Sequence, residues 1–415
     1  MKSILTAAAA ALVASHAWGV TIDLVPIGDP NNSPKVLQNG VFGRVTSAYQ
    51  IGETEVTNAQ YVEFLNAKAA SDPLGLYNAS MGMFNDGGIV RSGSSGSYTY
   101  AVKAPAAGVG PGGSSYTFGD KPVNYVSWYD AIRFANWMNN GQGTSSTETG
   151  AYTLLGGTAI PSNADSITRN AGATWFLPTE NQWFKAAYYN PATSSYTDYP
   201  TDSDAAPDNH LPSADTGNSA NYLIGNSTTT GNVAYHFTPV GAYEASSSAY
   251  GTFDQAGNVA EWNETLVSAG QRGRRGGSWD TTATDLSSAT RGSVLAYLEF
   301  EHTGFRLATS AAAVSVAGDY NGNGAVDAAD FVMWRDHLGT TYQLLNEVAG
   351  TTPGTVTAED YSAWRARFGN TSGSGSGLAS MAAVPEPNVS AIAIVGVWLA
   401  AWIPLIGARS VRRQI

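Results

Sequence analysis

Apolar residues recur three and four positions apart behind polar starters at three places in the first half of the chain. Thr57 with Gln60, Ser127 with Asp130 and Thr179 with Gln182 have the spacing of reciprocal N-terminal caps, and each predicts a helix. Behind the first, Tyr61, Phe64 and Leu65 share a face and predict one core; behind the second, Trp128, Ile132 and Ala135 predict another. Residues 82–119 between them are rich in Gly and Ser without a sustained period. They predict a long surface excursion with one hairpin around residues 98–102, and such excursions are where binding specificity tends to sit.

A different periodicity follows. Asp330-Phe-Val-Met-Trp-Arg-Asp-His-Leu-Gly339 returns 30 residues later as Asp360-Tyr-Ser-Ala-Trp-Arg-Ala-Arg-Phe-Gly369, and each copy predicts a loop feeding a helix. At the start, Lys2, the apolar run 4–14 and the small residues up to Gly19 predict an export signal over residues 1–19. At the end, a Gly/Ser-rich linker over 371–383 leads to Val384-Pro385-Glu386-Pro387, an apolar stretch over 389–408 and then Arg409, Arg412 and Arg413. That stretch is long enough for a transmembrane helix with its arginines left inside.

Composition narrows the chemistry. Only 13% of the 415 residues are charged, while 46 Gly, 21 Tyr and 11 Trp point to a loop-rich fold packed by aromatic rings. The net charge of -12 repels nucleic acid and anionic lipid. There is no cysteine, so disulfides, thiolate metal sites and thiol nucleophiles are excluded.

Five segments carry a specific pattern: Gly52-Glu-Thr-Glu-Val-Thr-Asn-Ala-Gln-Tyr61; Lys121-Pro-Val-Asn-Tyr-Val-Ser-Trp-Tyr-Asp-Ala131; Phe176-Leu-Pro-Thr-Glu-Asn-Gln-Trp183; Gly257-Asn-Val-Ala-Glu-Trp262; and Arg275-Gly-Gly-Ser-Trp279 with Gly304-Phe-Arg306. In this order they resemble the formylglycine-generating (sulfatase-modifying factor) family over residues 40–311. The resemblance implies an α+β, C-type-lectin-like fold of short helices and small sheets. Trp128, Trp183, Trp262 and Trp279 are expected to supply its core. The C-terminal tail resembles a PEP-CTERM sorting signal over 384–415, which implies an exosortase-type processing enzyme, the secretion machinery and a place at the cell surface.

The family's enzymes oxidise a substrate cysteine with copper held by two thiolates, and those positions fall here on Ala283 and Ser288, with the arginine that follows them at Arg291. Hydroxyl and methyl groups cannot replace a soft copper ligand. Iron-dependent members bind through histidines, which leaves His210, His236 and His302 as an alternative site; His337 stands apart. The resemblance further implies calcium at Asp254, Gly257, Val259 and Glu261, and a second calcium at Asn221 and Tyr222 with Asn232 and Ala234. The alternative role for Glu261 is an ion pair, for example with Arg275.

Residues 312–370 carry a calcium motif of their own. Asp319, Asn321, Asn323, Asp327 and Asp330 place oxygens at loop positions 1, 3, 5, 9 and 12, the Ala325 carbonyl takes position 7 and Gly324 permits the turn. With its repeat, this resembles a dockerin type I module, which implies a cohesin-like partner. The second loop has Ala349, Thr351 and Pro353 in place of ligands, so one calcium is expected for the pair. The expected function is an exported, calcium-bound, non-catalytic module that holds a glycan, an extracellular polysaccharide or a protein. An iron-type oxidoreductase and a structural matrix component are the alternatives.

Overall fold

Thr57, Ser127 and Thr179 each accept a hydrogen bond from the backbone N–H three residues on, and Gln60, Asp130 and Gln182 return the bond to the cap residue's own N–H. These are short-range contacts that need no tertiary partner, which is why they were legible. The chain is seen in a computed structural model that describes residues 19–310, 317–321, 326–342, 344–348, 352 and 354–370. The export signal up to residue 18, the linker and the sorting signal with its membrane helix lie outside the described residues. Among the described residues no helix is long and apolar enough to cross a membrane.

In chain order the principal elements are β1 (Leu24–Ile27), β2 (Tyr49–Gly52), α1 (Asn58–Lys68), β3 (Ile89–Ser92), β4 (Thr99–Val102), α2 (Trp128–Asn139), β5 (Trp175–Phe176), α3 (Glu180–Tyr188), β6 (Ala260–Ser268), β7 (Gln271–Arg275), β8 (Gly292–Leu295), β9 (Thr303–Gly304), β10 (Ala308–Ser310), α4 (Ala328–His337) and α5 (Ala358–Arg365). One four-stranded sheet runs β1-β2-β10-β5 and is antiparallel throughout. Strand β10 from the end of the domain therefore lies beside β2 from its beginning, and this pairing closes the domain. The second sheet runs β8-β7-β6-β9, with β9 parallel to β6.

The two expected cores are one. Tyr61, Phe64 and Leu65 of α1 and Trp128, Ile132 and Ala135 of α2 belong to a single apolar cluster, joined by Phe134 and Phe305. The Phe64 and Phe134 rings meet edge to face at 5.3 Å, and Tyr61 stacks on Phe134 at 5.9 Å. Such pairs add about 0.5–1.5 kcal/mol to simple area burial. The excursion also differs from its expectation. Its β3–β4 hairpin forms, but Ile89 and Tyr100 are buried in the main core, so the segment is anchored at its base.

Trp128, Trp183 and Trp262 are fully buried, as expected of core residues. Two of them lock neighbouring segments reciprocally: Trp128 Nε1 donates to the Asn263 carbonyl and Trp262 Nε1 to the Val126 carbonyl, each at 3.0 Å. Trp279 is half-buried: it packs against the cluster of Tyr116, Phe118, Phe237 and Val259 and also lines a cleft.

The repeat near the C-terminus folds with local two-fold symmetry. Trp334 Nε1 donates to the carbonyl of Thr357, the cap of α5, at 2.7 Å, and Trp364 Nε1 donates to that of Asp327, the cap of α4, at 2.8 Å. Gly339 N binds Val356 O just as Gly369 N binds Val326 O. Each half thus supplies the partner that the other half needs.

Candidate functional site

Three places in the main domain bring together residues singled out from the sequence. The first surrounds Ala283 and Ser288, where the two thiolates of the family's enzymes were expected to fall. Ala283 opens a four-residue helical turn, Ala283–Leu286, and Ser288 is buried just beyond it. The Ser288 hydroxyl accepts a hydrogen bond from Lys35 Nζ at 2.9 Å, and the same ammonium binds Asp198 Oδ1 at 2.8 Å and the Thr197 carbonyl at 3.0 Å. Lys35 Nζ thus donates to three acceptors at once, the Ser288 hydroxyl among them.

The frame around this position is intact. Glu180, the first residue of α3, accepts from Arg275 Nε at 2.8 Å and from Arg291 Nε and Nη2 at 2.9 and 2.6 Å. Arg291 is the arginine expected to follow the thiolates, and it is anchored.

The second place is a buried acid cluster. Glu261 has both oxygens held by protein donors: Arg306 reaches them through Nε and Nη2 at 2.7 Å each, and Trp183 Nε1 donates at 2.8 Å. The cation facing Glu261 is therefore the Arg306 guanidinium, and the expected pairing with Arg275 is replaced by Arg275–Glu180. Glu261 Oε1 accepts one of these bonds and Oε2 two. Asp254 sits at φ 59° and accepts from Gly241 N at 2.5 Å. Burial pushes Asp254 up to about 6, with the Glu261 charge adding to it, and burial together with Asp254 pushes Glu55 well above the carboxylate range. Gly257 donates its N–H to Gly276 O, and its φ of 83° with Asn221 O pressed against it leaves no room for a side chain. Val259 is fully buried in an aromatic cluster.

Among the residues expected at the second calcium, Asn221 keeps its Oδ1 buried without a hydrogen-bond partner. Asn221 Nδ2 donates to the His236 carbonyl and to Asn258 Oδ1, both at 2.9 Å. The Tyr222 carbonyl accepts from Asn209, and Asn232 Oδ1 accepts from Ala234 N. In the C-terminal loop Asp319 and Asp330 are both buried, Asp330 accepts from Asn321 N at 2.9 Å and Asp327 N at 2.7 Å, and Asn323 and Ala325 lie outside the described residues. Asn346 Nδ2 donates to the Asp319 carbonyl at 2.9 Å and lies 3.5 Å from its Oδ2.

The third place is an open cleft of about 470 Å³, lined by Phe84 and Asp86 from the excursion, Tyr125, His236, Trp279 and Glu301. His236 stacks on Trp279 with ring centres 3.4 Å apart and planes 14° from parallel. Its Nδ1 faces the Val233 carbonyl at 3.0 Å, which assigns the proton there and leaves Nε2 as an acceptor. Burial holds the imidazole down at about 4, so the ring is neutral at physiological pH. His236 Nε2 and Trp279 Nε1 are both buried without a hydrogen-bond partner. The other two histidines expected to share a metal have different surroundings. His210 is exposed beside Asp208, and His302 stacks on Phe300 with Nδ1 3.4 Å from Asp280. Among the described residues no group of three or more His, Asp or Glu side chains is arranged to hold a metal ion.

The Sulfatase-modifying factor enzyme 1-like domain family matches residues 41–311, most of the chain. The chain belongs to this family. Two curated relatives of this sulfatase-modifying-factor protein are hercynine oxygenases, from Mycolicibacterium thermoresistibile (26% identical over 230 residues) and Mycolicibacterium smegmatis (25% over 225 residues). The matches cover 52% of this chain, which spans only 36% and 37% of the relatives' own length. The solved structure of CarF is 20% identical, with 70% of this chain and 98% of that one covered at a TM-score of 0.44.

The sequence reading flagged His236, Trp279 and the excursion separately, and for other roles. Tyr125 at φ 55° and Glu301 carried no signal on their own. Nothing in a linear pattern could join residues 84–86, 125, 236, 279 and 301.

Proposed function

We propose that this sulfatase-modifying-factor protein is an exported, surface-held binding protein whose family domain does not oxidise thiols. The observation that carries the reading is the pair Ala283 and Ser288. Where the family's chemistry needs two soft sulfur ligands there are a methyl group and a hydroxyl tied to Lys35, inside a frame whose Glu180 and Arg291 remain in place. The open cleft beside the excursion is then the part of the domain free to hold a ligand. The 319–330 loop takes one calcium, and the repeat module works as a calcium-braced spacer. The terminal segments direct export, processing by an exosortase-type enzyme and retention at the cell surface.

The test is direct. The purified chain, supplied with copper, oxygen and a cysteine-bearing peptide, should leave the thiol unchanged by mass spectrometry; formation of an aldehyde ends the reading. A second reading, an iron-dependent oxidoreductase using His210, His236 and His302, is favoured by the hercynine oxygenase relatives. Stoichiometric iron that is lost in a His236→Ala variant would put that reading in place of the first.

A further inference from the structure

We infer that Glu299 and Asp130 share one proton and form a pH-sensitive latch, which fixes the 296–302 segment to the start of α2 and loosens as the proton is lost. The inference goes beyond the binding reading and does not depend on what the cleft holds.

Few bonds hold this segment to α2. Tyr125 N donates to the Phe300 carbonyl and Trp128 N to the Ala296 carbonyl, both at 2.9 Å. Between those two points lies Glu299. Its Oε2 accepts from Asn78 Nδ2, and Asn78 is fixed in turn because its Oδ1 accepts from Ser80 N at 2.8 Å. The Glu299 carboxyl also hydrogen-bonds the carboxyl of Asp130. Two carboxylates cannot make such a bond, since each offers only acceptors, so one of them keeps a proton.

The surroundings decide which. Asp130 is the third residue of α2 and is buried, and its Oδ2 accepts from Ser127 N at 2.9 Å and Ser127 Oγ at 2.6 Å. The positive end of the helix favours a charge there. Glu299 has only the neutral amide of Asn78 in return. Asp130 is therefore the carboxylate, and the proton sits on Glu299. Burial first, and then the Asp130 charge, pushes Glu299 up to about 8.

No cation takes the proton's place. Among the described residues neither carboxyl is in an ion pair; Arg133, the guanidinium that Asp130 feels, is bound to Glu148 at 2.7 and 3.2 Å and to the carbonyls of Thr158 and Ala159. Two more titratable groups face the pair. Asp72 adds a like charge and lies 3.7 Å from Arg91, while the Tyr61 hydroxyl of α1 donates to the Leu76 carbonyl at 2.9 Å and is held neutral by burial. Loss of the proton thus sets two buried negative charges against each other. The segment is the partner that yields, because α2 is packed into the main core whereas residues 296–302 form neither helix nor strand between β8 and β9. Glu301, on the cleft wall, moves with it.

Amide hydrogen exchange of the full chain from pH 6 to 9.5, corrected for the intrinsic rate at each pH, tests this against Glu299→Gln. Glutamine keeps an acceptor for Asn78 and a permanent N–H for Asp130, so the variant stays latched at every pH. Comparison with it cancels other groups that titrate in this range, Asp254 among them. Relative to the variant, protection of the Tyr125 and Trp128 amides should fall about tenfold per pH unit up to about pH 8 and then level off, because the closed form holds one proton that the open form releases. At pH 9 these two amides should be less protected than those of Phe64 and Leu65 in α1, and the gap should close in the variant. If Glu299→Gln does not fold, Asp130→Asn serves, since it offers the Glu299 carboxylate an N–H in place of a charge. The same pH dependence in the natural chain and the variant overturns the shared proton. A fall that is equal at Tyr125, Trp128, Phe64 and Leu65 overturns the latch, because the pair would then act on the whole domain.

Discussion

Arg306 and Glu261 form a bidentate ion pair in which both side chains are fully buried, at 2.7 Å for each bond. Arg306 also donates to the carbonyls of Gly52, Glu53 and Phe253, so one guanidinium ties β6, the end of β2 and the segment before Asp254 together. Two of the five motif segments meet in that pair. Their pattern is therefore first a pattern of packing.

Cutting the pair on one side leaves a buried charge alone. Arg306→Met should destabilise the domain by about 3–5 kcal/mol, the usual cost of orphaning one member of a buried pair. Guanidinium denaturation followed by tryptophan fluorescence measures it, and a loss below about 1 kcal/mol would contradict the central role of the pair.

Asp254 makes stability depend on pH in a defined direction. Its carboxyl is raised by burial from an ordinary 3.8 to about 6, so the folded state holds a proton there that the unfolded chain releases. The stability this contributes is complete below about pH 4 and is lost as pH rises through about 6. Asp254→Asn keeps an acceptor for Gly241 N and removes the titration. The stability of the variant relative to the natural chain should rise by on the order of 2 kcal/mol between pH 4 and pH 7. Urea midpoints at the two pH values read this out, and an unchanged difference would refute the assignment.

Lys35 Nζ, 2.9 Å from the Ser288 hydroxyl, sets up a test of the electrostatics at position 288. In a Ser288→Cys variant the introduced thiol should titrate below its ordinary value of about 8.5, because an adjacent cation favours the thiolate. Ultraviolet absorbance of the thiolate against pH follows it. Adding Lys35→Met should return the titration to or above the ordinary range; the same titration in both variants would mean that Lys35 does not act on this site.

For the C-terminal loop, Asp319→Ala should abolish calcium-dependent protection of residues 319–370 from protease while leaving the main domain resistant. Fragment masses with and without a calcium chelator decide it, and unaltered protection would rule the site out. Affinity should fall by tenfold or more, as expected when a buried carboxylate ligand is removed.

The helices of the main domain were legible because their signals are local. Thr57, Ser127 and Thr179 bond to a backbone N–H three residues away, and the apolar faces behind them follow from the helical period alone. The repeat was equally plain, since its two halves have equivalent sequences at Trp334 and Trp364. It did not show that each tryptophan would bond to the opposite half. Glu261 was readable as a buried carboxylate with an ion pair as one role, but its partner was misjudged. Arg275 lies opposite it on β7, whereas Arg306 comes from beyond β9.

By itself, then, the sequence determined the family, the three capped helices, the absence of sulfur at 283 and 288 and the calcium-loop spacing, because each is written in residue identity or in contacts within one turn. Only the tertiary structure decided that α1 and α2 share one core, that Arg306 rather than Arg275 pairs with Glu261, and that Asp86, Tyr125, His236, Trp279 and Glu301 surround one cleft. Those outcomes depend on which distant segments become neighbours, and that is settled by the packing of the whole domain, where local preferences carry no information about long-range partners.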